Sequence, residues 1–296
     1  SWIKRCNMDC SAPNVRLTFD DQVSEILVED CVFTNHKEHY LNSGAKVYFR
    51  NCLFDGGTSS GSVGLRPFGN TQLKVEGCTF TNLSYATYTP DDNINAIYDD
   101  CTIDVSYRGI DYREGSNNDL VIDNTTINSS HTGIYVTGDS NSVIIDSCDI
   151  SEAYYGIYLS GNYDNITMDN TILDSLNIGV HYGCGKGSFD AGTALTPAGN
   201  EIINIADILV RSISNDPIYF QNIWWGDSIG PDISAFDGDG IHYYPWIGYD
   251  RYDCSDPNIH CVPCEYPTID SAITIADNAA VDTVYIMPGT YYENNI

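Results

Sequence analysis

Basic residues are scarce in this chain of 296 residues. Lysine and arginine together number 13, against 41 aspartate and glutamate residues, and the formal net charge is −28. A surface with this charge repels nucleic acid and anionic membranes, so neither is expected as a partner. No apolar run approaches the roughly 20 residues that a transmembrane helix needs, so membrane insertion is not expected either.

Common cofactor and metal motifs are also missing. The sequence contains no G-x-x-x-x-G-K-[ST] loop, no G-x-G-x-x-G after a strand and no H-E-x-x-H. Nucleotide, hydride-transfer and zinc-protease chemistry therefore have no support. Most of the chain also lacks a helical period, which leaves strands as its main element.

The chain does contain a repeat of about two dozen residues. The aligned segments are ILVEDCVF, VYFRNCLF, LKVEGCTF, AIYDDCTI, LVIDNTTI, VIIDSCDI and ITMDNTIL, whose sixth positions are Cys31, Cys52, Cys78, Cys101, Thr125, Cys148 and Thr171. The steps between these positions are 21, 26, 23, 24, 23 and 23 residues. A nearly fixed period of this size indicates a solenoid.

The columns beside this one predict how each repeat folds. The residues two after and three before it are apolar throughout, as expected for inward positions of strands. The residue immediately before it is always Asp, Asn, Gly or Ser. Gly, Asn and Asp tolerate a left-handed backbone, and Ser is common in turns. Each repeat therefore predicts a strand, a one-residue corner and a second strand.

A third strand follows in RGIDY, TGIYV, YGIYL and IGVHY, with Gly109, Gly133, Gly156 and Gly179 spaced 24, 23 and 23 residues apart. Three short strands per turn of about 23 residues predict an all-β parallel β-helix, because the segments are too short for long crossovers. On these residues the chain resembles the right-handed parallel β-helix superfamily, with its pectate-lyase-like fold, over most of residues 15–250.

The C-terminal part of the chain resembles the end of one β-helix followed by the beginning of another. Residues 1–250 are predicted to form the β-helix. Residues 222–250 resemble the closing segment of secreted β-helix proteins, which implies that Trp224, Trp225 and Trp246 cover the last turn. Residues 251–265 resemble a Cys/Pro linker. Residues 266–296 resemble the opening of a β-helix domain, with one short capping helix, capped by Thr268, and then strands.

The chain is expected to be one period of a longer array, either subunits packed head to tail or one repeat of a longer polypeptide. The alternative is a piece of a multidomain protein. The predicted inter-subunit residues are Tyr266, Ile269, Ile273, Tyr285, Tyr291 and Tyr292.

The 11 cysteines fall into two groups. The five in the repeat column are expected to be buried side chains stacked from turn to turn, with disulfides between turns left open. The disulfide candidates are Cys6, Cys10, Cys184, Cys254, Cys261 and Cys264. His260 beside the C-x-x-C of Cys261 offers zinc as an alternative. Low lysine and the sequons of Asn82, Asn128 and Asn165, the glycosylation candidates, favour an extracellular or cell-surface protein; a fourth sequon, at Asn124, belongs to the corner column.

Candidate chemistry centres on the segment YRGIDYREGSNND. Arg108, Asp111 and Arg113 are the catalytic candidates, and Asp111 is predicted to point outward beside Tyr135, Tyr158 and His181 of the following turns. The resemblance implies cleavage of acidic polysaccharides, but the G-H-G and R-I-K strings of the polygalacturonase type are absent. No cofactor is predicted; Asp237 and Asp239 are the candidates for a Ca²⁺ ion, with a plain turn as the alternative.

Three functions are therefore compatible with the sequence. The first, which we favour, is an extracellular structural protein: a rigid β-solenoid whose copies assemble end to end into a filament or surface layer. The second is a lyase or hydrolase that acts on acidic polysaccharides through Arg108, Asp111 and Arg113. The third is a glycan-binding adhesin that uses the outward tyrosines without catalysis.

Overall fold

A computed structural model describes residues 2–9, 17–20, 25–35, 37–57, 61–192, 199–214, 216–221, 223–226, 230–238, 240–243, 246, 259–262, 269, 273 and 283–286. A 3₁₀ helix spans Ile233–Ala235. The strands, in chain order, are β1 (Trp2–Lys4), β2 (Asn7–Asp9), β3 (Thr18–Phe19), β4 (Glu25–Glu29), β5 (Val32–Thr34), β6 (His39–Leu41), β7 (Lys46–Arg50), β8 (Leu53–Asp55), β9 (Val63–Pro67), β10 (Gln72–Glu76), β11 (Thr79–Thr89), β12 (Asn95–Asp99), β13 (Thr102–Tyr112), β14 (Asp119–Asp123), β15 (Thr126–Ser129), β16 (Thr132–Thr137), β17 (Ser142–Asp146), β18 (Asp149–Ser151), β19 (Tyr155–Ser160), β20 (Asp164–Asp169), β21 (Ile172–Asp174), β22 (Ile178–Tyr182), β23 (Gly187–Asp190), β24 (Glu201–Ile203), β25 (Ile208–Ser212), β26 (Ile218–Tyr219), β27 (Phe236–Asp237), β28 (Ile241–His242), β29 (Ile259–Val262) and β30 (Thr283–Ile286).

The strands stack as a parallel β-helix, which confirms the predicted fold class. One sheet has 11 strands in the order β1-β4-β7-β10-β12-β14-β17-β20-β23-β26-β28. A second row runs β2-β5-β8-β11-β13-β15-β18-β21-β24, and a third runs β3-β6-β9-β11-β13-β16-β19-β22-β25-β27. Every pairing is parallel, and the partners lie one repeat apart, as in Leu120 with Val143.

Two of the turns differ from the predicted three short strands. Strands β11 and β13 are each 11 residues long and belong to both the second and the third row. In β13 no residue between Thr102 and Tyr112 has a positive φ. The chain therefore bends gradually at this place, whereas Glu152 and Ser175 (φ 60° and 56°) form a corner in later turns.

The predicted one-residue corners are confirmed. All seven residues of the corner column have a left-handed backbone: Asp30, Asn51, Gly77, Asp100, Asn124, Ser147 and Asn170, with φ between 46° and 61°. Arg5 extends the column by one turn, with φ 54°. These are the backbone angles that Gly, Asn and Asp adopt at the least cost, which explains the composition of the column.

The cysteine column connects neighbouring turns by hydrogen bonds. The Cys101 amide donates to Thr125 Oγ1 at 3.3 Å, and the Cys148 amide donates to Thr171 Oγ1 at the same distance. Thr125 Oγ1 in turn donates to the Asp123 carbonyl at 2.8 Å, two residues back in its own turn. Cys and Thr share the required properties, because both are small and both offer one donor and one acceptor. The column was predicted only as buried side chains, and the structure adds this hydrogen-bonding role.

The interior is a continuous apolar column. Phe33, Phe54 and Phe80 stack along the axis, with ring centroids 5.0 and 4.7 Å apart. At the C-terminal end, Trp225 and Trp246 are almost completely buried and belong to the same core, as the sequence predicted. Trp224 is only partly buried and forms a bridge with Glu201.

The glycine column of the third strand has no space for a side chain. A Cβ on Gly133 would lie 2.7 Å from the Gly156 carbonyl oxygen, and closer still to Ile150 Cγ2. We expect Gly133→Ala to lower the free energy of unfolding by about 1–3 kcal/mol, because the backbone of the next turn cannot move aside. Gly69→Ala is the control, since its Cβ would meet nothing nearer than 3.4 Å. Equal urea midpoints for the two variants would contradict the prediction.

Beyond the solenoid the structure describes only short pieces. β29 and β30 pair in parallel and form a separate two-stranded sheet. β29 lies inside the predicted linker 251–265, so part of that linker is a strand. Ile269 and Ile273 are helical, where the capping helix was predicted. Across the described residues, no helix combines the length and hydrophobicity needed to cross a bilayer.

Candidate functional site

The outer side of the third row carries the predicted acid, base and aromatic groups in one register. Asp111, Tyr135, Tyr158 and His181 are partners on β13, β16, β19 and β22. The register continues to Arg211 on β25 and Asp237 on β27. The sequence prediction that these side chains form one ladder is therefore confirmed.

Asp111 differs from the expectation, because its side chain is completely buried. Arg108 Nη1 donates to Asp111 Oδ2 at 2.9 Å, and Arg113 Nε donates to Asp111 Oδ1 at 3.2 Å. The hydrogen bonds to Asp111 raise the pKa of Arg113 further above its ordinary value. The three catalytic candidates thus lie together, but Asp111 is closed off from solvent and both guanidinium groups are charged and paired. None of the three is free to accept a proton from a substrate.

The two arginines also pack on tyrosine rings. The Arg108 guanidinium carbon lies 3.7 Å from the centroid of Tyr135, and that of Arg113 lies 4.8 Å from the centroid of Tyr88. A cation over an aromatic face is attracted by the ring quadrupole, which fixes the arginines in place. Arg108 Nε is buried and has no hydrogen-bond partner in the protein.

Tyr135, Tyr158 and His181 form a stack above this ion cluster. The Tyr135 and Tyr158 centroids are 4.9 Å apart with planes at 14°, and the Tyr158 and His181 centroids are 4.4 Å apart with planes at 8°. His181 is only 9% exposed. Burial, helped by the positive charge of Arg211, lowers the pKa of His181 to about 4. The imidazole is therefore neutral at physiological pH.

This shift predicts a pH dependence of stability. Between the unfolded pKa of 6.5 and the folded value of about 4, the unfolded chain binds the proton more tightly. The contribution of His181 is fully present above pH 6.5 and is lost as the pH falls through the folded pKa of about 4. As the pH falls over this interval, we expect the free energy of unfolding of the wild type to decrease by on the order of 2 kcal/mol because His181 must bind a proton. The His181→Phe variant keeps a ring on Tyr158 but cannot bind this proton, so its free energy of unfolding should not show this decrease. Urea unfolding of both proteins at several pH values measures the difference, and parallel curves would contradict it.

A second run of aromatic side chains borders the stack and was missed by the sequence analysis. The centroids of Tyr107 and His131 are 4.8 Å apart, and those of His131 and Tyr154 are 6.4 Å apart. Tyr154 is 43% exposed and packs on Tyr155. Burial, and to a smaller extent the positive charge of Arg108, lowers the pKa of His131. A sequence signal was available, because Tyr107, His131 and Tyr154 each stand two residues before the repeat glycine. We call Tyr107, His131, Tyr135, Tyr154, Tyr155, Tyr158 and His181 the aromatic face.

The predicted calcium candidates, Asp237 and Asp239, are described only in part. Asp237 accepts a hydrogen bond from Arg211 Nε at 2.8 Å, and Asp239 lies outside the described residues. Within the described part of the chain, no three His, Cys, Asp or Glu side chains are grouped so that they could hold a metal ion.

Two of the predicted disulfide candidates, Cys6 and Cys184, form no disulfide in the structure. Cys6 belongs to the stacked column, because its amide donates to Cys31 Sγ at 3.3 Å. Cys6, Cys184 and the five repeat cysteines are all free thiols, so none of these seven described cysteines forms a disulfide. Cys184 is buried and donates to Asp164 Oδ2 at 3.4 Å, and burial raises the pKa of its thiol to about 12. The side chain of Cys261 and all of Cys10, Cys254 and Cys264 lie outside the described residues.

The sequons and the predicted inter-subunit residues are described in part. Asn82 and Asn165 are exposed, whereas Asn128 is half-buried and accepts a hydrogen bond from Ser151 at 2.6 Å. Ile273 is 42% exposed, and Tyr285 lies on β30. Tyr266, Tyr291 and Tyr292 lie outside the described residues. Glycosylation and assembly at these positions stay predictions.

Comparison with known proteins finds a family that covers the central turns. Residues 62–204, a little under half of the chain, match the sequence profile of a family described as periplasmic copper-binding protein (NosD). No curated protein and no solved structure matches the chain. The chain is therefore a parallel β-helix protein, and the turns that carry its aromatic face are similar to this NosD family.

Proposed function

We propose that this chain is an extracellular structural protein, a rigid β-solenoid whose units are joined end to end into a filament or surface layer. The 11-stranded sheet and the continuous apolar core give a rod that resists bending, because every turn is hydrogen-bonded to the next. The axial length of such a sheet is about 50 Å, from a strand spacing of about 4.8 Å.

The observation that carries this proposal is the pairing of β29 with β30. Ile259 pairs with Thr283, which lies 24 residues further along the chain. Asn95 and Asp119 in the solenoid are separated by the same 24 residues. The parallel pair therefore has the repeat of a solenoid turn, and it follows the turn that Trp225 and Trp246 cover. This supports the interpretation that a second coil begins after the first has closed.

A location outside the cytoplasm is part of the proposal. It is supported by the exposed sequons of Asn82 and Asn165 and by the periplasmic family that residues 62–204 match. The copper in that family's description is not extended to this chain. Among the described residues, no three His, Cys, Asp or Glu side chains are grouped as metal ligands.

Electron microscopy of the native protein, combined with its mass, tests the end-to-end proposal. We expect rods with an axial repeat that is at least the length of one solenoid, about 50 Å. Val284→Pro should shorten the rods, because proline removes a backbone donor from β30. Isolated particles of a single solenoid in both proteins at all concentrations would overturn the proposal.

Glycan binding at the aromatic face is a second candidate, favoured by one observation. Tyr154 is exposed beside Tyr155 and His131, and sugars stack on such rings. Cleavage of the glycan has less support, because Asp111 is buried and doubly paired. A glycan array with Tyr154→Ala and Tyr155→Ala tests binding, with Tyr163→Ala as the control at an exposed tyrosine elsewhere. Release of reducing sugar or unsaturated uronate would instead favour the lyase or hydrolase function.

A further inference from the structure

Two cysteines on neighbouring turns, Cys52 and Cys78, lie close enough to react with each other. They follow the corner residues Asn51 and Gly77 and precede strands β8 and β11, which pair in register. The Cys52 amide donates a hydrogen bond to Cys78 Sγ at 3.3 Å. Neighbouring strands are about 4.8 Å apart, and the Cα atoms of a disulfide are about 4.4–6.8 Å apart, so the two backbones meet this distance requirement.

The two thiol groups also interact with each other. The hydrogen bond between them lowers the pKa of Cys52 and raises that of Cys78. The thiolate is the form that attacks a disulfide, so Cys52 is the nucleophile of the pair and Cys78 is the second thiol. Each thiol also donates to a carbonyl of its own turn, Cys52 to Arg50 at 3.3 Å and Cys78 to Glu76 at 3.4 Å. The reduced pair is therefore satisfied as well, and the fold accommodates both thiols without a bond between them.

Gly77 distinguishes this pair from the other stacked cysteines. A disulfide needs Cβ atoms about 3.5–4.5 Å apart, which is slightly closer than the spacing of the turns. Gly77 is the one glycine in the corner column, with φ 61°, and Asn51 Oδ1 lies only 2.6 Å from the place that its Cβ would take. No Cβ therefore separates the two corners, and the backbone before Cys78 can move towards Cys52. At Cys101 the preceding corner residue is Asp100, whose side chain restricts this movement.

We propose that Cys52 and Cys78 are a redox-sensitive pair, which a small disulfide oxidant such as oxidised glutathione converts into a disulfide between two turns. The Cys52 thiolate attacks one sulfur of the oxidant, which forms a mixed disulfide and releases one glutathione thiolate. The Cys78 thiolate then attacks Cys52 Sγ and releases the second. Two thiols are oxidised, one glutathione disulfide is reduced, and the two protons go to the released thiolates.

The disulfide would stabilise the solenoid between these two turns. It closes a loop of one turn and so restricts the unfolded chain. Both cysteines are almost completely buried, so the oxidant reaches them when the two turns are apart, during folding or local opening. The proposal is independent of end-to-end assembly and of glycan binding at the aromatic face.

Refolding in a glutathione redox buffer tests the proposal, because thiol–disulfide exchange is reversible there and the products reach equilibrium. The reduced full chain is diluted from urea into the buffer, the remaining thiols are alkylated, and the disulfides are mapped by peptide mass spectrometry. We expect the Cys52–Cys78 disulfide to exceed Cys31–Cys52 and Cys78–Cys101 by about tenfold or more, because strain makes the other two easier to reduce.

Threonine variants separate this disulfide from the others. Cys78→Thr and its control Cys101→Thr should both fold, since threonine already occupies the same place at Thr125 and Thr171. Oxidation should raise the urea midpoint of the wild type and of Cys101→Thr but not that of Cys78→Thr. Free thiols at both Cys52 and Cys78 after refolding, equal amounts of the three disulfides, or the same rise in Cys78→Thr would each overturn the proposal. End-to-end rods can form or fail to form without affecting any of these outcomes.

Discussion

Replacing Asp111 by asparagine is expected to lower the free energy of unfolding by about 3–5 kcal/mol, because it removes one member of a buried ion cluster. The Asp111 side chain is completely buried, and that of Arg108 is 10% exposed. Asparagine has nearly the same shape but no charge, so two guanidinium groups would remain beside a neutral amide. The cost is the desolvation of charges that no longer have a partner.

The same ladder provides a matched control for this substitution. Asp237 also pairs with an arginine, Arg211, at 2.8 Å, but its side chain is 59% exposed. Exposed pairs contribute about 0–1 kcal/mol, so Asp237→Asn should change stability little. The two variants differ mainly in burial, and thermal or urea unfolding of both measures that difference. Equal stability of the two variants would show that the Asp111 cluster is accessible to water, which would reopen a catalytic role for Asp111.

The Asp111 cluster also shows where sequence reasoning stopped. Period-2 alternation placed Asp111 on the outer side of its strand, which is correct, and the 23-residue period placed it beside Tyr135. Whether an outward side chain is covered depends on its neighbours. Here Arg108 and Arg113, on either side of Asp111 in the sequence, fold over it. Periodicity gives the direction of a side chain but carries no information about what lies above it.

The repeat itself was predictable, because its signal comes from local backbone requirements. A left-handed corner admits few residue types, and it is followed by a position that needs both a donor and an acceptor. These requirements recur in each turn and therefore appear as aligned columns. The cysteine stack and the glycine column followed from the sequence for the same reason, whereas the Trp225 cover was predicted from the resemblance to β-helix proteins.

The repeat could not be followed where a turn changes length. The column continues from Thr171 to Asn200, a step of 29 residues against the usual 23. Asn200 was not recognised in the alignment, although its amide oxygen accepts the Thr171 N–H at 2.9 Å as the column requires. The inserted residues change the spacing of the repeat in the sequence, but the hydrogen bonds between the two turns are kept. An alignment of the repeat columns that allows a gap of variable length would therefore include Asn200.

Asn200→Ala is therefore expected to be the second strongly destabilising substitution. Asn200 is fully buried, and its amide nitrogen donates to the carbonyls of Met168 and Ala191 at 2.6 and 2.9 Å. Alanine would leave these two carbonyls and the Thr171 amide without partners. Each buried unpaired group costs about 1–3 kcal/mol, so the expected loss is about 3–6 kcal/mol. Asn165→Ala is the control, because Asn165 is exposed and should cost less than about 0.5 kcal/mol.

Asn200→Thr tests whether membership of the column is the reason for this loss. Threonine occupies the same place at Thr125 and Thr171, where its hydroxyl accepts the amide of the preceding turn. It would keep the acceptor for the Thr171 N–H but could not replace both donors of asparagine. The expected order of urea midpoints is therefore wild type, then Asn200→Thr, then Asn200→Ala. If threonine were no better than alanine, the stability at this site would come from the two donated bonds alone, and the acceptor shared along the column would contribute nothing there.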